Sequence, residues 1–229
     1  MALLAARSPL AGLPQRFLLL VGAALAAGLA YLLVAPLVSG WALAALKGSG
    51  VALLALAALQ IPARGAAWLA FVLILGAAGD VLLELPGMFV AGAGSFAAGH
   101  VAAILLYARH RRTASGMAWP VAALFMLYGA AMPLLLVPAG PQLGGAIVYA
   151  VLLCAMAASL WLSRFPRLAA LGAISFIASD TLLVLGMTGR QVFDPGIDGA
   201  LVWASYFGGQ WLITLGVARG LLGRQARAG

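Results

Sequence analysis

The chemistry open to this chain is set by a few side chains embedded in apolar sequence. Lys47, Asp80, Glu84, His100 and Asp180 are ionisable residues within runs made mostly of Ala, Leu, Val and Gly. A single cysteine, Cys154, excludes a disulfide framework and an all-cysteine metal site, and two histidines, His100 and His110, are too few for a zinc centre. Chemistry therefore falls to carboxylates, one lysine, hydroxyls and His100, with no cofactor expected. Asp80 and Asp180 form the most informative pair, because two carboxylates that share a low-dielectric site repel if both ionise. Lys47 either neutralises an Asp in a structural ion pair or stands free to hold an anion. Glu84 lies one turn after Asp80 on the same face, as a further site carboxylate or as a solvated helix end. His100 either donates to a backbone carbonyl or lines the site. Tyr206 and Gln210, four residues apart, share a helix face that lines a site or joins helices.

The elements that position these groups follow from composition. The chain of 229 residues is 65% hydrophobic, with a mean hydropathy of +1.12. It is 8% charged, against roughly 25% in a soluble domain. So little charge cannot cover a soluble core, and so much hydrophobicity excludes disorder, so the solvent is lipid. Eight apolar runs are long enough to cross a hydrocarbon core of about 30 Å: 17–38, 41–61, 66–85, 88–108, 117–137, 142–163, 167–187 and 199–221. The predicted fold is an all-α polytopic membrane bundle, one domain of eight transmembrane helices. The first run has the length of a retained span rather than of a cleaved leader.

Cations orient the bundle. Arg7, Arg16, Arg64, Arg109, Arg111, Arg112, Arg164, Arg167, Arg219, Arg224 and Arg227 fall on the N-terminus, the even-numbered connections and the tail, whereas the odd connections hold Arg190. The positive-inside rule then puts both termini in the cytoplasm and the protein in the inner membrane. The net charge of +8 is orientation rather than a nucleic-acid footprint. Depths below the outer surface follow at 1.5 Å per residue: roughly 8 to 9 Å for Lys47 and Asp80, about 10 Å for Asp180, about 17 Å for His100, with Glu84 near the surface. Four helices thus bring polar groups into one layer, which predicts a single polar cavity in the outer half of the bilayer. Intramembrane ionisable residues are by default functional.

An internal echo points the same way. Ala77-Ala78-Gly79-Asp80-Val81-Leu82-Leu83 parallels Ile177-Ala178-Ser179-Asp180-Thr181-Leu182-Leu183, four spans later and running in the same direction. A duplicated four-helix unit, with halves near 17–108 and 117–221 and a pseudo-two-fold along the membrane normal, would leave such a trace and would bring the two Asp to equal depth.

Gly79-Asp80 with Leu82-Leu83, Phe96 four residues before His100, and Gly172 and Phe176 leading into Ser179-Asp180 with Leu182-Leu183 resemble the YhhN-like lysoplasmalogenase family of integral membrane proteins. Lys47 in the second span and the Tyr206/Gln210 pair in the eighth are similar to that family as well. The chain departs from it at Gly48, where a proline would be expected, and at Tyr107, which follows His100 at a greater distance. The resemblance implies a hydrolase that cleaves the vinyl ether bond of lysophospholipids to a fatty aldehyde and a glycerophospho-headgroup. Such chemistry needs a carboxylic acid to protonate carbon, a carboxylate to stabilise the oxocarbenium ion and a water, the logic of glycosidase carboxyl pairs. Asp80 and Asp180 are then the catalytic candidates. Lys47, Glu84, His100, Ser179, Tyr206 and Gln210 are the substrate-binding candidates, and the apolar helix faces take the chain of the lipid.

A lipid or proton-coupled transporter would also place carboxylates and a lysine at depth, but matched helix breaks are missing from the sequence. A zinc-dependent hydrolase would need about three histidine ligands, and His100 alone lies at depth. The topology is directly testable. Reporter fusions after Gly140 and after Arg112 should read as outside and inside respectively, and a common side for both would overturn the depth assignments.

Overall fold

The computed structural model describes residues 12–114 and 116–225, and these form helices and connecting turns. Arg7 and Arg227, counted above among the cytoplasmic cations, lie outside the described residues. The helices are α1 (Gln15–Val34), followed by a single 3-10 turn at Ala35–Leu37, then α2 (Gly40–Leu59), α3 (Ala66–Leu83), α4 (Phe89–Ala108), α5 (Ala118–Leu136), α6 (Pro141–Trp161), α7 (Arg167–Met187) and α8 (Pro195–Gln225). Among the described residues, α1 to α7 are each long and apolar enough to cross a membrane. This is a polytopic helical bundle of the class expected. Ser205, Tyr206, Gln210 and Thr214 make α8 more polar than the others.

One boundary differs clearly. The polar stretch 188–199 was expected to be loop, yet α8 starts at Pro195. The carboxylate of Asp198 turns back and accepts the backbone N–H groups of Val192 (3.0 Å) and Phe193 (3.2 Å), while Asp194 accepts that of Gly196 (2.9 Å). Asp194 satisfies a donor that the start of the helix leaves open, and Asp198, inside the first turn, ties the preceding connection to it, so the helix begins a turn earlier than hydropathy indicates.

Small residues set how closely the helices approach. A Cβ placed on Gly172 would lie 2.5 Å from the carbonyl oxygen of Gly209, and one on Gly209 would lie 2.6 Å from that of Gly172, so α7 and α8 touch backbone to backbone. Phe207 of α8 fills the space opposite Gly50 of α2, and the Trp203 indole N–H donates to the carbonyl of Gly28 on α1 (2.8 Å), seating α8 between them. At the basic end, backbone bonds from Arg112 to Leu162 and from Arg164 to His110 join the α4–α5 and α6–α7 connections. Arg109, Arg111 and Arg167 lie over the rings of Trp68, Trp119 and Trp161.

The pair α3 and α4 and the pair α7 and α8 share several packing contacts. Ser95 Oγ donates to the Leu75 carbonyl between α4 and α3, and Ser175 Oγ donates to the Ser205 carbonyl between α7 and α8. A Cβ on Gly99 would meet Val72 O and Leu75 Cβ, and one on Gly209 would meet Gly172 O and Ser175 Cβ. Residues of α3 thus correspond to those of α7 one hundred positions on, and residues of α4 to those of α8 one hundred and ten on. Helix α4 also packs on α6, and α8 on α2. The correspondence matches Asp80 with Asp180, Phe96 with Tyr206 and His100 with Gln210.

The Gly172–Gly209 contact leaves no room for a side chain. Gly172→Leu is expected to lower stability by about 3 kcal/mol or more, read as a fall in thermal unfolding temperature in detergent. Gly186→Ala, also on α7 but with open space around it, should be neutral or slightly stabilising.

Candidate active site

The ionisable residues form two tiers. In the first, the Lys47 ammonium on α2 makes an ion pair with the Glu84 carboxylate at the end of α3, and both side chains are slightly under one-fifth exposed. Tyr31 of α1 donates its hydroxyl to the same Glu84 oxygen (3.2 Å), and Lys47 sits 5.8 Å from the Tyr31 ring centre. The partner of Lys47 is therefore Glu84 rather than an Asp, although its charge also reaches Asp80. Glu84 is held by two side chains instead of standing as a solvated helix end.

The second tier is buried. Asp80 is 1% exposed and Asp180 8%. Each carboxylate has its own phenol: Tyr206 of α8 donates to Asp80 Oδ2 (2.8 Å), and the Tyr149 hydroxyl of α6 hydrogen-bonds Asp180. The charges of both carboxylates reach Tyr149, which ties the two Asp into one electrostatic unit without direct contact between them. A buried carboxylate without a donor is strongly disfavoured, so these phenols are a condition of burial rather than an ornament to it. The Gln210 side chain hydrogen-bonds the Tyr206 hydroxyl, extending the chain one turn further along α8.

Aromatic rings join the tiers. Tyr31 packs on Trp203 with centroids 4.3 Å apart, and Trp203 on Tyr206 at 5.6 Å. Phe176 makes edge-to-face contacts with Tyr206 (5.0 Å), Phe96 (6.2 Å) and His100 (5.3 Å), and His100 continues to Tyr149 (5.6 Å). The walls around the carboxylates are thus rings, which exclude water and keep the dielectric low.

His100 is 4% exposed and its Nε2 has no hydrogen-bond partner. It lines a cavity of about 20 Å³ with Gly76, Phe96, Tyr107, Phe176 and Gln210 among its walls. Of the residues expected around one outer polar cavity, this cavity takes His100 and Gln210, while Lys47 and the two Asp are not among its lining. Ser179 is occupied, donating to the Val202 carbonyl (2.8 Å), and so fastens α7 to α8. Tyr31 and Tyr149 were not found from sequence. Each is a lone hydroxyl within an apolar run, without the polar neighbour four residues on that singled out Tyr206. Among the described residues no three His, Cys, Asp or Glu side chains cluster as ligands.

Two curated proteins, each named "Lysoplasmalogenase", from Mycobacterium bovis and Mycobacterium tuberculosis, are 34% identical to this chain over an alignment of 186 residues that covers 75% of this chain and 69% of each relative. No solved structure matches it. Residues 42–217, which hold both carboxylates, Lys47, Tyr149 and Tyr206, match the YhhN family, and the chain belongs to that family.

Proposed function

We propose that this protein is an integral membrane hydrolase that cleaves the vinyl ether bond of lysoplasmalogens, with Asp80 and Asp180 as its catalytic pair. The name carried by the relatives supports the reaction. The observation that carries the mechanism is a pair of buried carboxylates on corresponding helices, each with a tyrosine donor. In this reading all eight helices cross the inner membrane, both termini are cytoplasmic, and the substrate enters at the Lys47–Glu84 tier.

The environments of the two carboxylates differ in a way that suits unlike roles. Burial disfavours the charge of Asp80, but of the two carboxylates it alone has the Lys47 charge acting on it beside its phenol donor, and we assign it the ionised role. Asp180 has a phenol, and we assign it as the general acid. Asp180 gives its proton to the vinyl carbon β to the ether oxygen, the C=C electrons form the new C–H bond, and the cation spreads over the adjacent carbon and oxygen. Asp80 stabilises that cation. Water then bonds to the carbon next to oxygen and returns a proton to Asp180. The hemiacetal collapses with the proton going to the glycerol oxygen, which leaves aldehyde and headgroup. Atoms balance as substrate plus water.

Lys47 and Glu84 form a gated anion site. A half-buried ion pair contributes little to stability, but a substrate phosphate can displace Glu84 from Lys47 by offering more acceptor oxygens. Phosphate binding would thereby free Glu84 and Tyr31 to meet the glycerol hydroxyl. Buried carboxylates with tyrosine donors in an unbroken α3 and α7 suit a fixed acid site better than the transporter alternative.

Mass spectrometry of a lysolipid panel incubated with purified protein tests the reaction: fatty aldehyde from lysoplasmalogen is expected, and uptake into vesicles without turnover would favour transport instead. Asp80→Asn and Asp180→Asn should each lower kcat by at least about 10²-fold, with the double variant little worse than either single one. Near wild-type aldehyde release from a folded single variant would refute the pair. Lys47→Ala should raise KM about tenfold with kcat within a few-fold, and an unchanged KM would remove the phosphate role.

A further inference from the structure

The cavity beyond the carboxylate tier has three features that belong together. Its size, about 20 Å³, slightly exceeds the roughly 10–15 Å³ that one water molecule needs by the same measure. It is far too small for a lipid chain or headgroup. It is lined by the polar side chains of His100 and Gln210, which are 4% and 7% exposed. His100 Nε2 is buried there without a partner, and a buried ring nitrogen in that condition is normally satisfied by water.

The position of the cavity matters as much as its size. His100 and Gln210 are corresponding residues in the repeated α4 and α8 packing, so the void lies between equivalent elements of the two halves. Gly76, one turn before Asp80 on α3, and Gln210, one turn after Tyr206 on α8, both line it. Gln210 hydrogen-bonds Tyr206, and Tyr206 donates to Asp80. A polar chain therefore runs from the cavity, whose other walls are largely apolar, to a carboxylate.

We infer that this cavity is a one-water site, held by His100 Nε2 and the Gln210 amide, that supplies the hydrolytic water to the Asp80–Asp180 pair. His100 and Gln210 are then positioning residues for water rather than contacts to the lipid. The inference rests on the hydrolase reading. Each turnover consumes one water, and both carboxylates are buried, so they meet little bulk solvent. A water stored one turn away reaches the cation along the Tyr206 hydroxyl while Asp180, having given up its proton, is ready to accept one back. If the water is missing, the cation has one way to decay: it returns a proton to Asp180 and regenerates the vinyl ether.

That reversal gives the test. Gly76→Ala adds one methyl to the cavity, 3.3 Å from the Gln210 amide nitrogen. The flexible end of Gln210 yields to it, and alanine suits the helix interior better than glycine, so the fold is not threatened. In D₂O, wild-type protein should leave unreacted lysoplasmalogen free of deuterium. Gly76→Ala and His100→Leu should lower kcat by about 10²-fold with KM little changed, and recovered substrate should carry deuterium at the vinyl carbon β to oxygen. His100→Asn, which restores a polar partner, should recover most of the rate and suppress the exchange. A loss of rate without deuterium entry, or a wild-type rate in Gly76→Ala, overturns the inference. A structure of the wild-type protein at a resolution that shows ordered water provides the arm independent of activity. Density between His100 Nε2 and Gln210 is expected, and its absence overturns the site whatever the activity. Density there in a protein that releases no aldehyde would sink the hydrolase reading instead.

Discussion

The rest of this structure depends on keeping two carboxylates away from water. Moving a carboxylate into a medium of low dielectric costs several kcal/mol even after relaxation, so each must find a donor that comes from another helix. Tyr206 reaches Asp80 from α8 and the Tyr149 hydroxyl reaches Asp180 from α6. Those two bonds in turn fix where α6 and α8 must run relative to α3 and α7. A phenol is a suitable donor because its ring supplies the apolar wall that burial demands while its hydroxyl supplies the bond. Phe176, in contact with Phe96, His100 and Tyr206, closes the remaining gaps. The Gly172–Gly209 contact is the mechanical counterpart, since only bare backbones let α7 and α8 approach closely enough for Ser179 and Ser175 to fasten them by donating to α8 carbonyls.

Outside that tier the charges obey a different rule. Lys47 and Glu84 retain some exposure, so their attraction is partly screened and easily exchanged for another. At the opposite end of the bundle the arginines lie on tryptophan rings, which places amphipathic side chains where apolar and polar surroundings meet. Charge is thus confined to the two ends, and the interior keeps hydroxyls, one amide, one imidazole and the two Asp.

Much of this was legible in the sequence because a membrane imposes strong rules. Apolar runs of fixed length located the helices to within a few residues, and Lys47, Asp80, Glu84 and Asp180 stood out as charges within or at the ends of those runs. What escaped depended on local bonds or on partners far away. The early start of α8 hinges on Asp198 turning back to cap its own connection, where hydropathy registers only a polar residue. Lys47 has carboxylates of two kinds within range, and the choice of Glu84 depends on Tyr31, fifty-three residues from Glu84 and on the first helix. Tyr31 and Tyr149 lie in apolar runs where nothing local distinguishes a site tyrosine from a packing one. Ser179 stood out beside Asp180, yet its hydroxyl is consumed by the α8 backbone. The correspondence of α4 with α8 rests on Ser95/Ser205 and Gly99/Gly209, identities too common in such helices to be noticed until the contacts they make are compared.

That correspondence sets Asp80 on α3 and Asp180 on α7 in similar packing, yet their neighbours differ. Where α4 has Phe96, α8 has Tyr206, so the hydroxyl that binds Asp80 belongs to one half only. Lys47 on α2 has no cationic counterpart on α6, where Tyr149 supplies the bond to Asp180 instead. His100 and Gln210, matched in position, differ in that one is bound into the chain leading to Asp80 while the other keeps an open nitrogen. The packing of α3 on α4 thus resembles that of α7 on α8, while the neighbours of the two Asp differ: a phenol and the Lys47 charge act on Asp80, and a phenol alone on Asp180.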